Sequence, residues 1–295
     1  MNARPDPHGK APILGIQLYM VAITLVVFAN TVGKIAMDTL PVWQVILAQM
    51  TGLFLAAFVA GRTLRIDRLI ATRRPGLQML RTTCQFGGVV CFYLGLRELP
   101  LSDIIGIVLL LPLTITALAA LFLGEPVGWR RWTACLIGLC GAFLIVKPGW
   151  PGADPAALWP LGTVVLFSIY TVLTRRLTTE DPAPNLMLWA ALATVLVLGL
   201  ASPLYWVPPG FMEWLALAGV AGFSGVANAS RIKALVLAPA SLLAPFGYTQ
   251  IATATLLGFI VFGDLPELLS WIGIAIIVLS GLYVWHRERM REKRA

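Results

Sequence analysis

The side chains in this sequence that could bind a ligand are polar residues placed inside long apolar stretches. Gln78, Arg81 and Gln85 follow one another at spacings of three and four residues, which puts them on one face of a helix. A polar group in such a setting costs free energy unless something binds it. We therefore expect this face to hold a polar ligand by hydrogen bonds. The alternative is a hydrogen bond to a neighbouring helix, worth about 0.6 kcal/mol in measured cases.

A second and shorter polar stripe contains Ser224, Asn228 and Arg231, at spacings of four and three residues. Two such faces predict two walls of one binding cavity. The helix-contact alternative stays open for this stripe as well. Asn30 and Trp189 are further candidates for substrate contact, because each is polar or amphipathic and lies within an apolar stretch.

A third candidate region surrounds Tyr248. In an α-helix Gln250 points about 200° away from Tyr248, so only one of the two can face a given cavity. We favour Tyr248, because Pro245 and Gly247 beside it loosen the backbone and free polar groups for a ligand. Pro112 is predicted to be the matching flexible point earlier in the chain. The alternative is that these prolines only kink their helices, since proline is frequent in membrane helices.

Groups that could perform catalysis are missing from the apolar stretches. The two histidines, His8 and His286, lie in the terminal tails, and the sequence contains no HExxH motif, no Cys/His cluster and no P-loop. We therefore expect neither an enzyme nor a metal or cofactor site. No carboxylate falls in the middle of an apolar stretch, which favours an exchanger or facilitator. Coupling to a counter-substrate, or to a proton through residues at the rim, stays open.

The composition shows which elements must position these residues. Of 295 residues, 58% are hydrophobic and only 12% are charged, whereas soluble domains carry about 25% charged residues. An ordinary soluble protein is excluded. Since about 20 apolar residues cross a bilayer as a helix, the sequence predicts an all-α integral membrane protein with ten transmembrane helices. They are placed at residues 12–32, 43–61, 77–96, 101–123, 131–147, 156–174, 185–203, 212–230, 236–262 and 270–285.

The distribution of basic residues predicts the orientation. If the N-terminus is cytoplasmic, 19 of the 22 Lys and Arg residues fall on the cytoplasmic side, and only Lys34, Arg97 and Lys147 fall outside. Such a bias is what membrane insertion produces. It predicts that both termini are cytoplasmic and explains the net charge of +8 without a nucleic-acid partner.

The chain also matches itself at a shift of 139 residues. The informative matches are Pro100 with Pro239, Glu125 with Asp264, and Trp132 with Trp271. Each half then holds five helices, an odd number, so the second half must be inverted in the membrane, as in many transporters. The predicted organisation is a cytoplasmic tail at 1–11, five-helix repeats at 12–149 and 150–285, and a basic cytoplasmic tail at 286–295.

Two segments carry a family resemblance. Leu99–Gly149 and Ala238–Tyr283 resemble the paired EamA repeats of the drug/metabolite transporter superfamily, in which a Gly-acid turn ends the fourth and ninth helices. The resemblance implies a secondary transporter of the bacterial cytoplasmic membrane, with a small-molecule cavity between helices one to four and six to nine. Riboflavin-type import, S-adenosylmethionine-type import, and amino-acid or metabolite export all stay open. We expect a monomer or weak dimer; a channel or membrane enzyme is the alternative outside this class.

Overall fold

The computed structural model describes residues 10–60, 72–123, 128–147, 154–177 and 183–292, and the regular structure in these ranges is helical. Most of the predicted N-terminal tail lies outside the described residues. So does the first Gly-acid turn, at Gly124 and Glu125. The second Gly-acid turn is described, and its Gly263 has a φ of 73°. This left-handed backbone ends a helix at little cost only when the residue is glycine.

Six helices make up the first half of the described chain. They are α1 (Lys10–Ala36), α2 (Val42–Ala60), α3 (Pro75–Glu98), α4 (Leu101–Val108), α5 (Leu111–Leu123) and α6 (Trp129–Val146). The predicted fourth span is therefore divided, with a turn at Leu109 and Leu110 between α4 and α5. Pro112 explains the division, because it has no amide hydrogen to continue the α4 hydrogen-bond pattern.

The second half starts with a 3₁₀ turn at Pro155–Ala157. It continues with α7 (Leu158–Leu177), α8 (Ala183–Ala201), α9 (Phe211–Leu237), α10 (Ala240–Leu243), α11 (Thr249–Leu257) and α12 (Leu268–Glu292). The predicted ninth span is not one continuous α-helix, because Ala244–Tyr248 is 3₁₀ and Gly258–Phe262 is π-helical. Two helices run furthest past their predicted ends. Helix α9 continues to Leu237, and α12 carries the described part of the C-terminal tail as helix.

Six helical stretches in the described residues are long and apolar enough to cross a membrane. They are Ile13–Ala36, Leu101–Phe122, Trp129–Val146, Pro155–Leu177, Ala244–Phe262 and Leu268–Arg287, with shorter apolar helices at Val42–Ala56 and Ala191–Leu204. Helices α3 and α9, of 24 and 27 residues, belong to neither group. These are the helices that carry the predicted polar stripes, whose glutamine, asparagine and arginine residues lower the mean hydropathy.

The helix pairings form a regular pattern. Helix α1 packs along α9 and α3 packs along α7; α2 contacts α9 and α3 contacts α8; α5 contacts α7 and α11 contacts α1. In each of these pairs of contacts, one contact becomes the other when helices at the same place in the two halves are exchanged. The exchanged helices are α1 and α7, α2 and α8, α3 and α9, α5 and α11, and α6 and α12. The pairings α6 with α12 and α2 with α8 are their own counterparts under the same exchange.

Glycine allows two of these pairs to approach to backbone contact. On α2, a Cβ at Gly52 would lie 2.6 Å from the carbonyl carbon of Ala221 on α9. On α6, a Cβ at Gly141 would lie 2.8 Å from the carbonyl oxygen of Gly273 on α12. Small residues at crossings of this kind let membrane helices pack closely.

Charged side chains gather at the end of the bundle where α1 and α6 finish and α4 and α12 begin, which we call the acidic end. Lys34 donates a hydrogen bond to the carbonyl of Leu99. Its ammonium group is also attracted electrostatically by the carboxylates of Asp38, Asp103 and Asp264. At the same end Lys147 forms an ion pair with Glu267. These contacts join helices from both halves of the chain.

Candidate functional site

The polar stripe of α3 faces the inside of the bundle. Gln78 is 1% exposed and Arg81 is 0% exposed, while Gln85 is half-buried. Met79 and Leu80, on other faces of the same helix, are 67% and 53% exposed. The side of α3 that is apolar therefore faces outward, and the side that is polar faces other helices.

Arg81 is held by two hydroxyl groups of α7. Its Nε donates to Oγ1 of Thr174 at 2.7 Å, and its Nη2 donates to the hydroxyl of Tyr170 at 3.0 Å. The guanidinium carbon also lies 4.6 Å from the centre of the Tyr170 ring. Thr174 can accept this bond because its own proton goes to the carbonyl of Tyr170, at 2.7 Å.

Several buried polar atoms have no hydrogen-bond partner among the residues that the structure describes. They are both amide atoms of Gln78, Oε1 of Gln85, Oγ of Ser224, Oγ1 of Thr255 and the hydroxyl of Tyr93, with Oγ of Ser102 and Oδ1 of Asp103 at the acidic end. An unpaired buried polar group costs about 1–3 kcal/mol. Each of these atoms is one with which a polar ligand, or water in its place, could form a hydrogen bond.

The stripe of α9 is only partly buried. Ser224 is 6% exposed and Asn228 is half-buried, but Arg231 is exposed. Arg231 therefore does not continue the buried face. Because α9 runs on to Leu237, this arginine lies on the surface of a helix rather than in a loop.

The other predicted contacts lie in three different places. Asn30, on α1, is 2% exposed and lies one turn before Gly33, where a Cβ would lie 3.2 Å from the ring of Tyr93. Trp189 is half-buried on α8. Tyr93 is 0% exposed and was not among the predicted site residues.

Tyr248 packs against α12, where its hydroxyl group lies against Gly281 so closely that a Cβ there would overlap it. Its helical segment, Ala244–Tyr248, contains Pro245 and Gly247 and is 3₁₀ rather than α. Residues turn by about 120° in a 3₁₀ helix, so the angle predicted between Tyr248 and Gln250 does not apply across this junction. Both side chains are half-buried, and the part of Tyr248 in substrate binding stays a prediction.

The two irregular backbone segments correspond in the sequence. The turn at Leu109 and Leu110 ends α4 just before Pro112, and the shift of 139 residues places this turn on Tyr248 and Thr249, where 3₁₀ helix changes to α-helix. The backbone thus departs from a continuous α-helix near each proline that the sequence singled out.

The EamA-like transporter family matches the chain twice, at residues 13–147 and at residues 154–285. The chain belongs to the EamA-like transporter family. As a member of that family it is a multi-pass membrane transporter of the drug/metabolite transporter superfamily.

Among relatives of this EamA-like chain is the riboflavin transporter of Vibrio cholerae, 31% identical over 237 residues, which cover 79% of this chain and 80% of that one. The S-adenosylmethionine uptake transporter of Rickettsia bellii is 25% identical over 221 residues, covering 75% and 76%. A solved structure described only as a protein crystal structure matches with a TM-score of 0.61, at 20% identity, covering 94% of this chain and 99% of that one. Its likeness shows the fold. The family and the names of the relatives indicate a transporter rather than an enzyme.

Proposed function

We propose that the chain is a secondary transporter that carries a small amphipathic metabolite across the bacterial cytoplasmic membrane by alternating access, and that a flavin-type vitamin is its substrate. The observation that carries the proposal is the 31% identity to a riboflavin transporter over about four fifths of both chains. The unpaired atoms of Gln78, Gln85 and Ser224 support it, because they are neutral and match the uncharged amide and hydroxyl groups of such a compound.

The proposed architecture is ten spans in two inverted halves, residues 12–149 and 150–285, with both termini in the cytoplasm. The two family matches, one to each half, support it. So does the exchange of helix pairings between the halves. An inverted pair can interconvert between inward-open and outward-open arrangements that are nearly mirror versions of each other.

We assign the substrate path to polar side chains from both halves. Gln78, Arg81 and Gln85 contribute from α3, and Ser224 and Asn228 from α9. Asn30, Trp189 and Tyr248 are its further members. The interruptions near Pro112 and at Pro245 and Gly247 act as the flexible points, because their backbones already lack the regular α-helical hydrogen bonds that resist bending.

Ligand-induced stabilisation tests the substrate. Riboflavin should raise the melting temperature of the purified protein in detergent, since a ligand that binds only the folded state at 100 times its Kd adds about 2.7 kcal/mol. S-adenosylmethionine and flavin mononucleotide are measured in parallel. A shift with S-adenosylmethionine and none with riboflavin would replace the flavin assignment.

Replacing Gln85 with leucine should weaken riboflavin binding while the protein still folds. We expect a loss of about 1 kcal/mol or more, the size of a lost neutral hydrogen bond. The matched control is Thr82→Val on the same helix, because the Thr82 hydroxyl donates to the carbonyl of Gln78 at 2.9 Å and is already paired. Equal affinity in wild type and Gln85→Leu would make Gln85 a helix-packing residue.

The topology has its own test. A reporter enzyme that is active only in the periplasm should be silent when fused after Ala295, because the excess of basic residues keeps this end in the cytoplasm. The control fusion is placed between α8 and α9, where the same topology predicts a periplasmic loop and an active reporter. An active C-terminal fusion would contradict the orientation and an even number of spans.

A further inference from the structure

Two glutamines of this chain are equally buried but differ in their hydrogen bonds. Gln44, at the start of α2, is 2% exposed, and Gln78, in the first turn of α3, is 1% exposed. The Gln44 amide donates to the carbonyl of Val207 at 2.8 Å and accepts from the amide of the same residue at 3.2 Å. Neither amide atom of Gln78 has a partner among the described residues.

A glutamine amide presents a donor and an acceptor side by side. Gln44 shows what such a group binds in this protein, since it pairs with both the N–H and the C=O of one backbone unit. The amide of Gln78 offers the same two groups but forms no hydrogen bond to a described residue. Leaving it so lowers the stability of the empty protein, because a buried amide that loses water and gains no partner is unfavourable.

Two further polar side chains, Arg81 and Gln85, lie on the face of α3 that carries Gln78. One turn further along α3, Arg81 is fixed by Thr174 and Tyr170, and its guanidinium lies over the Tyr170 ring. Two turns from Gln78, and about 10 Å along the helix axis, Gln85 adds another unpaired acceptor. The distance between Gln78 and Gln85 along the helix matches the length of a small vitamin rather than the size of a single ion.

We propose that Gln78 recognises the amide-like edge of a planar heterocycle, with its Oε1 accepting from a ring N–H and its Nε2 donating to the adjacent ring carbonyl. The proposal rests on the function proposed above and adds which part of the ligand Gln78 recognises. In a flavin this edge is the imide of the pyrimidinedione ring, whose N–H lies between two carbonyls. Gln85 then accepts a hydrogen bond from a hydroxyl on the other end of the ligand.

The test compares riboflavin with riboflavin methylated on the imide nitrogen, which keeps the ring and loses the N–H. Wild-type protein should bind riboflavin about tenfold more tightly, the ratio that corresponds to about 1.4 kcal/mol. Gln78→Met keeps the size of the side chain and removes the amide, so the two ligands should then bind almost equally. Gln44→Met is the matched control and should keep the wild-type ratio.

The ligand-free proteins supply a second readout. Gln78→Met should melt at or above the wild-type temperature, because it removes an unpaired amide, whereas Gln44→Met should melt lower because it removes two hydrogen bonds. The proposal is overturned if Gln78→Met keeps the tenfold preference, or if it lowers the melting temperature as much as Gln44→Met does. If wild type binds neither flavin, the flavin assignment fails separately. The melting temperatures of the ligand-free variants then decide whether the amide of Gln78 lacks a hydrogen-bond partner in the folded protein.

Discussion

Replacing Gly52 with alanine should strongly destabilise the helical bundle. The new Cβ would lie 2.6 Å from the carbonyl carbon of Ala221, and the obstacle is the backbone of α9 rather than a side chain that can turn away. Gly225 fixes the same crossing from the other side, since a Cβ there would lie 2.8 Å from the carbonyl oxygen of Gly52. Helices α2 and α9 must separate, and overpacking of this kind costs about 1–3 kcal/mol or more.

The measurement is the yield of monodisperse protein in detergent together with its melting temperature. Gly222→Ala is the matched control, because Gly222 is on α9 beside Ala221 and, apart from its neighbours in α9, no atom of the described residues lies within 4 Å of where its Cβ would be. It should purify and melt like wild type. Equal melting temperatures for Gly52→Ala and Gly222→Ala would mean that α2 and α9 do not cross at Gly52.

Replacing Arg81 with lysine should strongly reduce both stability and transport. Lysine keeps the charge but cannot reproduce the planar fork that reaches Thr174 and Tyr170 together. Hydrogen bonds to a charged group contribute about 1.5–3 kcal/mol, so losing either one is a large fraction of the stability of a typical protein. Tyr170→Phe keeps the ring and should have a smaller effect.

Melting temperature and uptake into proteoliposomes measure the two effects. Arg231→Lys is the matched control, because Arg231 is exposed on α9 and should tolerate the change. Equal losses in the two variants would show that the burial of Arg81 is not what makes it important. Loss of uptake without loss of stability in Arg81→Lys would place its main effect in ligand binding.

Local patterns predicted much of what the structure contains. The glycine of the second Gly-acid turn is at Gly263, where a left-handed φ requires it, and both interrupted spans break near a proline. The stripe of α3 lies on a buried face, as helical spacing indicates. These features depend on residues within a few positions of one another, and their physics can be read from a single segment.

Contacts between distant segments could not be predicted in this way. Tyr170 and Thr174 share a face of α7, but only the packing of α3 on α7 shows that both meet Arg81. The crossing of Gly52 with α9 is equally invisible in sequence. The angle between Tyr248 and Gln250 was predicted from regular α-helix, and a 3₁₀ segment ends between them. Contact between Tyr248 and a ligand stays a prediction.

We expect the acidic end to repel anionic compounds that approach the protein from that side. Asp38, Asp103, Asp264 and Glu267 lie there with Lys34 and Lys147, a formal net charge of −2. The resulting negative potential extends about 8 Å into a solution of physiological salt. A phosphorylated vitamin would be repelled before it reached any hydrogen-bonding group, while its uncharged parent would not. Discrimination between the two would then begin at the surface, and added salt would weaken it.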